Sequence, residues 1–82
     1  MNNTTYLGLD VHKESIAAGI LRPHGVEPDL RTFANTPEAL RKLTSRMDRA
    51  SLIACYEAGP TGYDIYRVLE RLGVRCEVIA RR

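Results

Sequence analysis

Two carboxylates stand at the ends of otherwise apolar runs, and they are the residues best placed to do chemistry. The first run is Tyr6-Leu7-Gly8-Leu9-Asp10-Val11-His12-Lys13. The second is Leu52-Ile53-Ala54-Cys55-Tyr56-Glu57-Ala58-Gly59-Pro60-Thr61-Gly62. A carboxylate inside such a run is costly to bury unless something pairs with it. If the two runs are neighbouring strands, Asp10 and Glu57 converge, and the usual partner of converging carboxylates is a hard divalent cation, Mg²⁺ or Mn²⁺. Phosphodiester hydrolysis or transfer uses two such cations about 3.5–4 Å apart, held by several carboxylates. Two acids begin that cage and do not complete it.

The neighbouring residues fit the same chemistry without requiring it. Lys13 follows Asp10 closely enough to meet a phosphate. Gly59-Pro60-Thr61-Gly62 turns the chain into a helix start whose N–H groups favour an anion, which makes Thr61 a second candidate nucleic-acid contact. Plainer roles exist for each: Asp10 paired with His12 or Lys13, Glu57 closing a loop, and His12 partly exposed with no ligand role.

Positioning the acids requires an order of elements. Residues 6–11 are nearly all apolar and are expected to form a strand buried on both faces. Residues 15–21 form a second strand, joined by a link too short for anything but an antiparallel hairpin. Residues 22–28 hold two prolines and a glycine and read as a turn. Residues 30–34 alternate as an edge strand.

Thr36-Pro37-Glu38 is a helix start, with a capping Thr, a first-position Pro and an acid in the first turn. Leu40, Leu43, Met47 and Ala50 mark its inner face. Arg41, Lys42, Arg46 and Arg49 fall away from that face and read as solvated surface. Residues 52–56 make a fourth strand. Thr61 caps a second helix whose buried stripe is Ile65, Leu69 and Leu72, with Tyr63 and Tyr66 packing beside it and Gly73 as its stop. Residues 74–80 make a fifth strand.

The order β-β-β-α-β-α-β has three leading strands in an antiparallel meander, then two strands reached through helices and running parallel to the first. A sheet order of 3-2-1-4-5 satisfies this, and it is the ribonuclease H-like arrangement, an α/β fold with a mixed five-stranded sheet. It sets Asp10 beside Glu57, with Gly8 leaving room over the sheet near the acid.

Composition limits the alternatives. The 82 residues are 44% hydrophobic and 27% charged, which are globular values and amount to one small domain. No run approaches the roughly 20 apolar residues that span a bilayer, and the first residues lack the pattern of a signal peptide, so no membrane partner and a cytoplasmic location are expected. Cys55 and Cys76 are not spaced as metal ligands and read as buried, reduced thiols, although a disulfide stays open if their strands are neighbours. The net charge of +2 does not announce nucleic acid by itself, although ten of the twelve basic residues are Arg.

At the level of motifs, Gly8-Leu9-Asp10-Val11-His12-Lys13 resembles the opening G-(I/L)-D-V-x-K strand of the DEDD transposases of the insertion sequence 110 family. Tyr56-Glu57-Ala58-Gly59-Pro60-Thr61-Gly62-Tyr63 resembles that family's second acidic motif, and Leu72-Gly73 through Val78-Ile79-Ala80 resembles the strand that follows. The resemblance covers all 82 residues. It implies a RuvC-like ribonuclease H fold in which four acids bind Mg²⁺, with Asp10 the first and Glu57 the second.

Members of that family are much longer, with two further aspartates, a downstream serine nucleophile and a structured RNA that guides DNA recognition. This chain resembles about the first quarter of such a protein, as a fragment or the remnant of a truncated element. The sheet would then stop after its fifth strand, the 82 residues would neither cleave nor join DNA alone, and uncovered apolar surface would drive homo-oligomerisation.

Two other readings share parts of the pattern. The actin-like ATPases and sugar kinases have the same element order and a first-strand aspartate, but they carry a Gly-rich turn where this chain has Val11-His12-Lys13-Glu14-Ser15. A non-catalytic nucleic-acid-binding module would use the Arg-bearing helix faces instead of the acids.

Overall fold

The computed structural model describes residues 3–58 and 63–80. Five strands, β1 (Thr5–Val11), β2 (Ser15–Leu21), β3 (Asp29–Ala34), β4 (Leu52–Ala58) and β5 (Arg75–Ala80), form one sheet in the order β3-β2-β1-β4-β5. β1 pairs antiparallel with β2, and β2 with β3. β4 runs parallel to β1, and β5 parallel to β4. This is the mixed sheet and strand order expected from the short early links and the two helical crossovers.

Helices α1 (Pro37–Thr44) and α2 (Tyr63–Arg71) supply the second layer. Leu7 and Leu9 of β1, Ile16, Ala18 and Ile20 of β2, and Leu52, Ala54 and Tyr56 of β4 are buried with Leu40 of α1 and with Ile65 and Leu69 of α2. These strand residues share one parity, so both helices cover the same side of the sheet. The other parity of β1, Tyr6, Gly8 and Asp10, is exposed.

The expectation that β1 is buried on both faces is therefore corrected. Glycine and tyrosine read as apolar in a run, but here they occupy the uncovered side.

Local chemistry explains where the helices start and stop. Thr36 adopts an extended conformation and its Oγ1 accepts from Ala39 N at 3.1 Å, while Pro37 gives up no needed donor. α1 was expected to run on through Ala50, but it stops at Thr44. The hydroxyls of Thr44 and Ser45 donate back to Leu40 O (3.0 Å) and Lys42 O (2.8 Å), the local competition that weakens a helix interior. Asp48 then caps a separate 3₁₀ turn, Arg49–Ser51, by accepting from Ala50 N at 3.2 Å. Met47 still packs against the core, whereas Ala50 is exposed.

α2 ends on Gly73 (φ 76°), as its glycine predicted. Gly73 N donates to Glu70 O and Val74 N to Leu69 O, the paired bonds of a Schellman stop, and Val74 joins Leu69 in the core. Tyr66 departs from expectation. It is exposed, and its hydroxyl is bonded to Glu70, which raises its pKa.

Candidate functional site

The site is built by strand register. β1 and β4 pair in parallel from Thr5↔Leu52 through Gly8↔Cys55 to Leu9↔Tyr56. The next residues along are Asp10 and Glu57, at the same level of adjacent strands about 4.8 Å apart. Both belong to the uncovered parity, with Tyr6 and Gly8 on one strand and Ile53 and Cys55 on the other. Both are exposed.

The side chain of Asp10 is 75% exposed, so no burial cost has to be offset. Its immediate partner is His12, whose Nε2 lies 3.1 Å from Asp10 Oδ2, the ring donating to the carboxylate. Of the two plainer pairings open to Asp10, the structure forms the one with His12. Lys13 is exposed and takes part in no ion pair among the described residues. Thr61 lies outside the described residues.

Asn35 is a positioning residue that sequence reasoning did not single out. Its Nδ2 donates to His12 O at 2.8 Å and reaches Lys13 O at 3.5 Å, while its backbone N donates to Glu14 O at 3.1 Å. With His12 N donating to Ser15 O, these bonds fix the β1–β2 turn that carries His12 next to Asp10. Its only sequence signal was an Asn just before a helix cap, a common arrangement with many local uses.

Beside the acids runs an open trough of about 590 Å³ along the uncovered face, lined by Gly8, Asp10, Gly19, Leu30, Cys55 and Glu57 among others. Gly8 and Gly19 face each other across β1 and β2, and the absence of two side chains there makes the hollow. The room expected beside Asp10 is present.

Asp10 and Glu57 fit a hard cation as two oxygen donors on one face at one level. Among the described residues no group of three or more His, Cys, Asp and Glu could hold a metal. Cys55 stays outside any such group.

The cysteines separate cleanly. Cys55 pairs in register with Gly8 and faces the trough, whereas Cys76 pairs with Ala54 and faces the helices. Side chains on opposite sides of a sheet cannot form a disulfide, and both thiols are free. Neither is fully buried, which corrects that expectation. Burial nevertheless pushes the Cys76 thiol up to about 11, with Cys55 and Glu77 adding to the shift.

Fold and site together define an α/β domain of ribonuclease H-like strand order with two acids paired at the ends of its central parallel strands. No known protein-family profile matches the chain. It is 34% identical, over 98% of its length, to the transposase for insertion sequence element IS1533 of Leptospira borgpetersenii. It is 32% identical, over 92% of its length, to the "Putative transposase y4qE" of Sinorhizobium fredii.

The chain is thus related to transposases along nearly its whole length, and the resemblance carried by the acidic motifs is borne out at that level. It spans 24% and 20% of the lengths of these two relatives. No helix among the described residues is long and apolar enough to cross a membrane.

Proposed function

We propose that this chain is part of a DNA transposase of the insertion sequence 110 kind, in which Asp10 and Glu57 are two of the acids that hold Mg²⁺ or Mn²⁺. The observation that carries the reading is the juxtaposition of the two acids on one exposed side of adjacent parallel strands. Bound there, a divalent cation supplies charge stabilisation to the attacking and leaving oxygens of a DNA strand.

The chain's own residues hold and orient. The two carboxylates are presented by adjacent strands, His12 bonds the carboxylate of Asp10, and Asn35 ties down the turn that bears His12. Lys13 and Thr61 are the candidate phosphate contacts. In the whole protein the acids belong to a DEDD tetrad that breaks and rejoins DNA, with a guide RNA as a further partner and the cytoplasm as its location. The uncovered apolar sheet face supports self-association of the chain.

Mn²⁺ titration followed by electron paramagnetic resonance tests the site directly. The native chain is expected to bind Mn²⁺ weakly, and Asp10→Asn and Glu57→Gln are each expected to abolish binding while leaving the far-ultraviolet circular dichroism unchanged. Mn²⁺ binding that survives both substitutions would sink the assignment.

A further inference from the structure

The outer surface of the helical layer carries a second charge arrangement that the acid site does not use. Arg41 and Lys42 leave the exposed side of α1, and Arg46 and Arg49 continue the run through the following turn. All four are exposed, and none takes part in an ion pair among the described residues. The nearby acids offset this little. Glu38 sits within one helical turn of Arg41 and Lys42 without bridging to either, and Asp48 is engaged in capping Ala50 N and Ser51 Oγ. On the adjacent helix, Arg67 and Arg71 lie four residues apart on the exposed side, away from buried Ile65 and Leu69.

We propose that this ridge, Arg41, Lys42, Arg46 and Arg49, docks the phosphate backbone of duplex DNA on the side of the sheet opposite to the one that bears Asp10 and Glu57. The proposal rests on the reading of the chain as part of a DNA transposase. The chemistry of the ridge selects the occupant. None of the exposed large hydrophobic residues (Tyr6, Leu21, Val26, Leu30, Tyr66 and Val78) lies on α1 or its following turn, so the ridge has no apolar anchor of the kind that dominates protein interfaces. It also offers no aromatic platform on which unpaired bases would stack. What it offers is a set of exposed cations, three of them Arg, whose planar forks match phosphate oxygens. Such contacts position a duplex without reading its sequence.

The test measures fluorescence anisotropy of a labelled DNA duplex of about 30 base pairs, with a single strand and an RNA duplex of equal length as comparisons. If each of the four cations releases about one counterion, native affinity falls roughly 100-fold between about 50 and about 200 mM salt. The fourfold variant Arg41→Gln, Lys42→Gln, Arg46→Gln, Arg49→Gln is expected to lose nearly all binding and most of the salt slope, with an unchanged melting curve. A control with Arg22 and Arg31 replaced by Gln is expected to bind the duplex as the native chain does.

Undiminished binding by the fourfold variant would overturn the ridge while leaving DNA as a partner. No binding by the native chain even at the lowest salt would overturn the ridge together with its premise of a DNA partner, and would leave the metal assignment to the Mn²⁺ titration. Tighter binding of the single strand or of the RNA duplex would overturn the choice of occupant.

Discussion

The two sides of the sheet are made from the same strands and do opposite work. On the covered side, Leu7, Ile16, Ile20 and Leu52 meet Leu40 and Leu69 and are essentially removed from water. On the open side the same strands present Tyr6, Gly8, Gly19 and Leu30, with the two acids at one end. Period-two alternation lets one strand carry both sets without compromise. Stability is concentrated on the covered side, so the open side keeps a trough and two solvated carboxylates without endangering the fold. The difference shows how an 82-residue chain holds a core and a candidate site within a single sheet.

Substitutions on the two sides sharpen this contrast, and the largest effect belongs to the core. Leu69→Ala leaves a cavity where no solvent reaches, and the expected loss is about 2–5 kcal/mol by urea denaturation. Leu30→Ser, at a side chain 77% exposed on β3, is expected to change stability by no more than about 0.5 kcal/mol and to reduce self-association in light scattering. Equal losses at the two positions would mean that the open face is buried in solution.

The cysteines report the same contrast through pH. Burial holds the Cys76 thiol near 11, above the ordinary 9.0. Because the folded state keeps this proton longer than the unfolded state, the thiol's contribution to stability is fully present below about pH 9 and is lost as pH rises toward 11. In a Cys55→Ser background, thiol labelling at pH 8 should be slower than in the denatured chain, because the thiolate fraction of Cys76 is roughly a hundredfold smaller. Labelling at the denatured rate would show that α2 does not shield β5.

Much of this arrangement was legible in the residues. The link of three residues between β1 and β2 allows only a hairpin, and the two helical crossovers force β4 and β5 parallel to β1. Those constraints admit the order 3-2-1-4-5, in which Asp10 and Glu57 are neighbours, and the sheet adopts it. Thr36 and Gly73 were legible because each has one well-defined structural use.

The sidedness of the sheet was not legible, because Tyr6-Leu7-Gly8-Leu9 is apolar at every position and alternation is invisible in it. The early end of α1 was hidden because Met47 continues the apolar spacing, while the hydroxyls of Thr44 and Ser45 act through bonds that spacing does not record. The pairing of Asp10 with His12 was open because i, i+2 neighbours share one side of any strand, whether or not they bond. Asn35 went unnoticed because its partners, His12 and Lys13, are distant in sequence.

The smallest expected effect is the most diagnostic of the open face. Gly8 has no positive φ, and among the described residues a methyl group placed there would meet only Gly19 O, at 3.9 Å, an ordinary contact. Nothing among the described residues therefore requires glycine at this position, and Gly8→Ala should restrict the unfolded chain without straining the folded one. The expected gain is about 0.4–1 kcal/mol, a rise of a few degrees in the melting temperature. That gain holds only while the trough between β1 and β2 is open to water. If a second copy of the chain closes over Gly8 and Gly19, the added methyl meets it, and the substitution destabilises at high protein concentration while still stabilising at low concentration. A melting series over a wide concentration range separates these outcomes. A loss at every concentration would show that the strands around Gly8 pack more tightly than the open face described above.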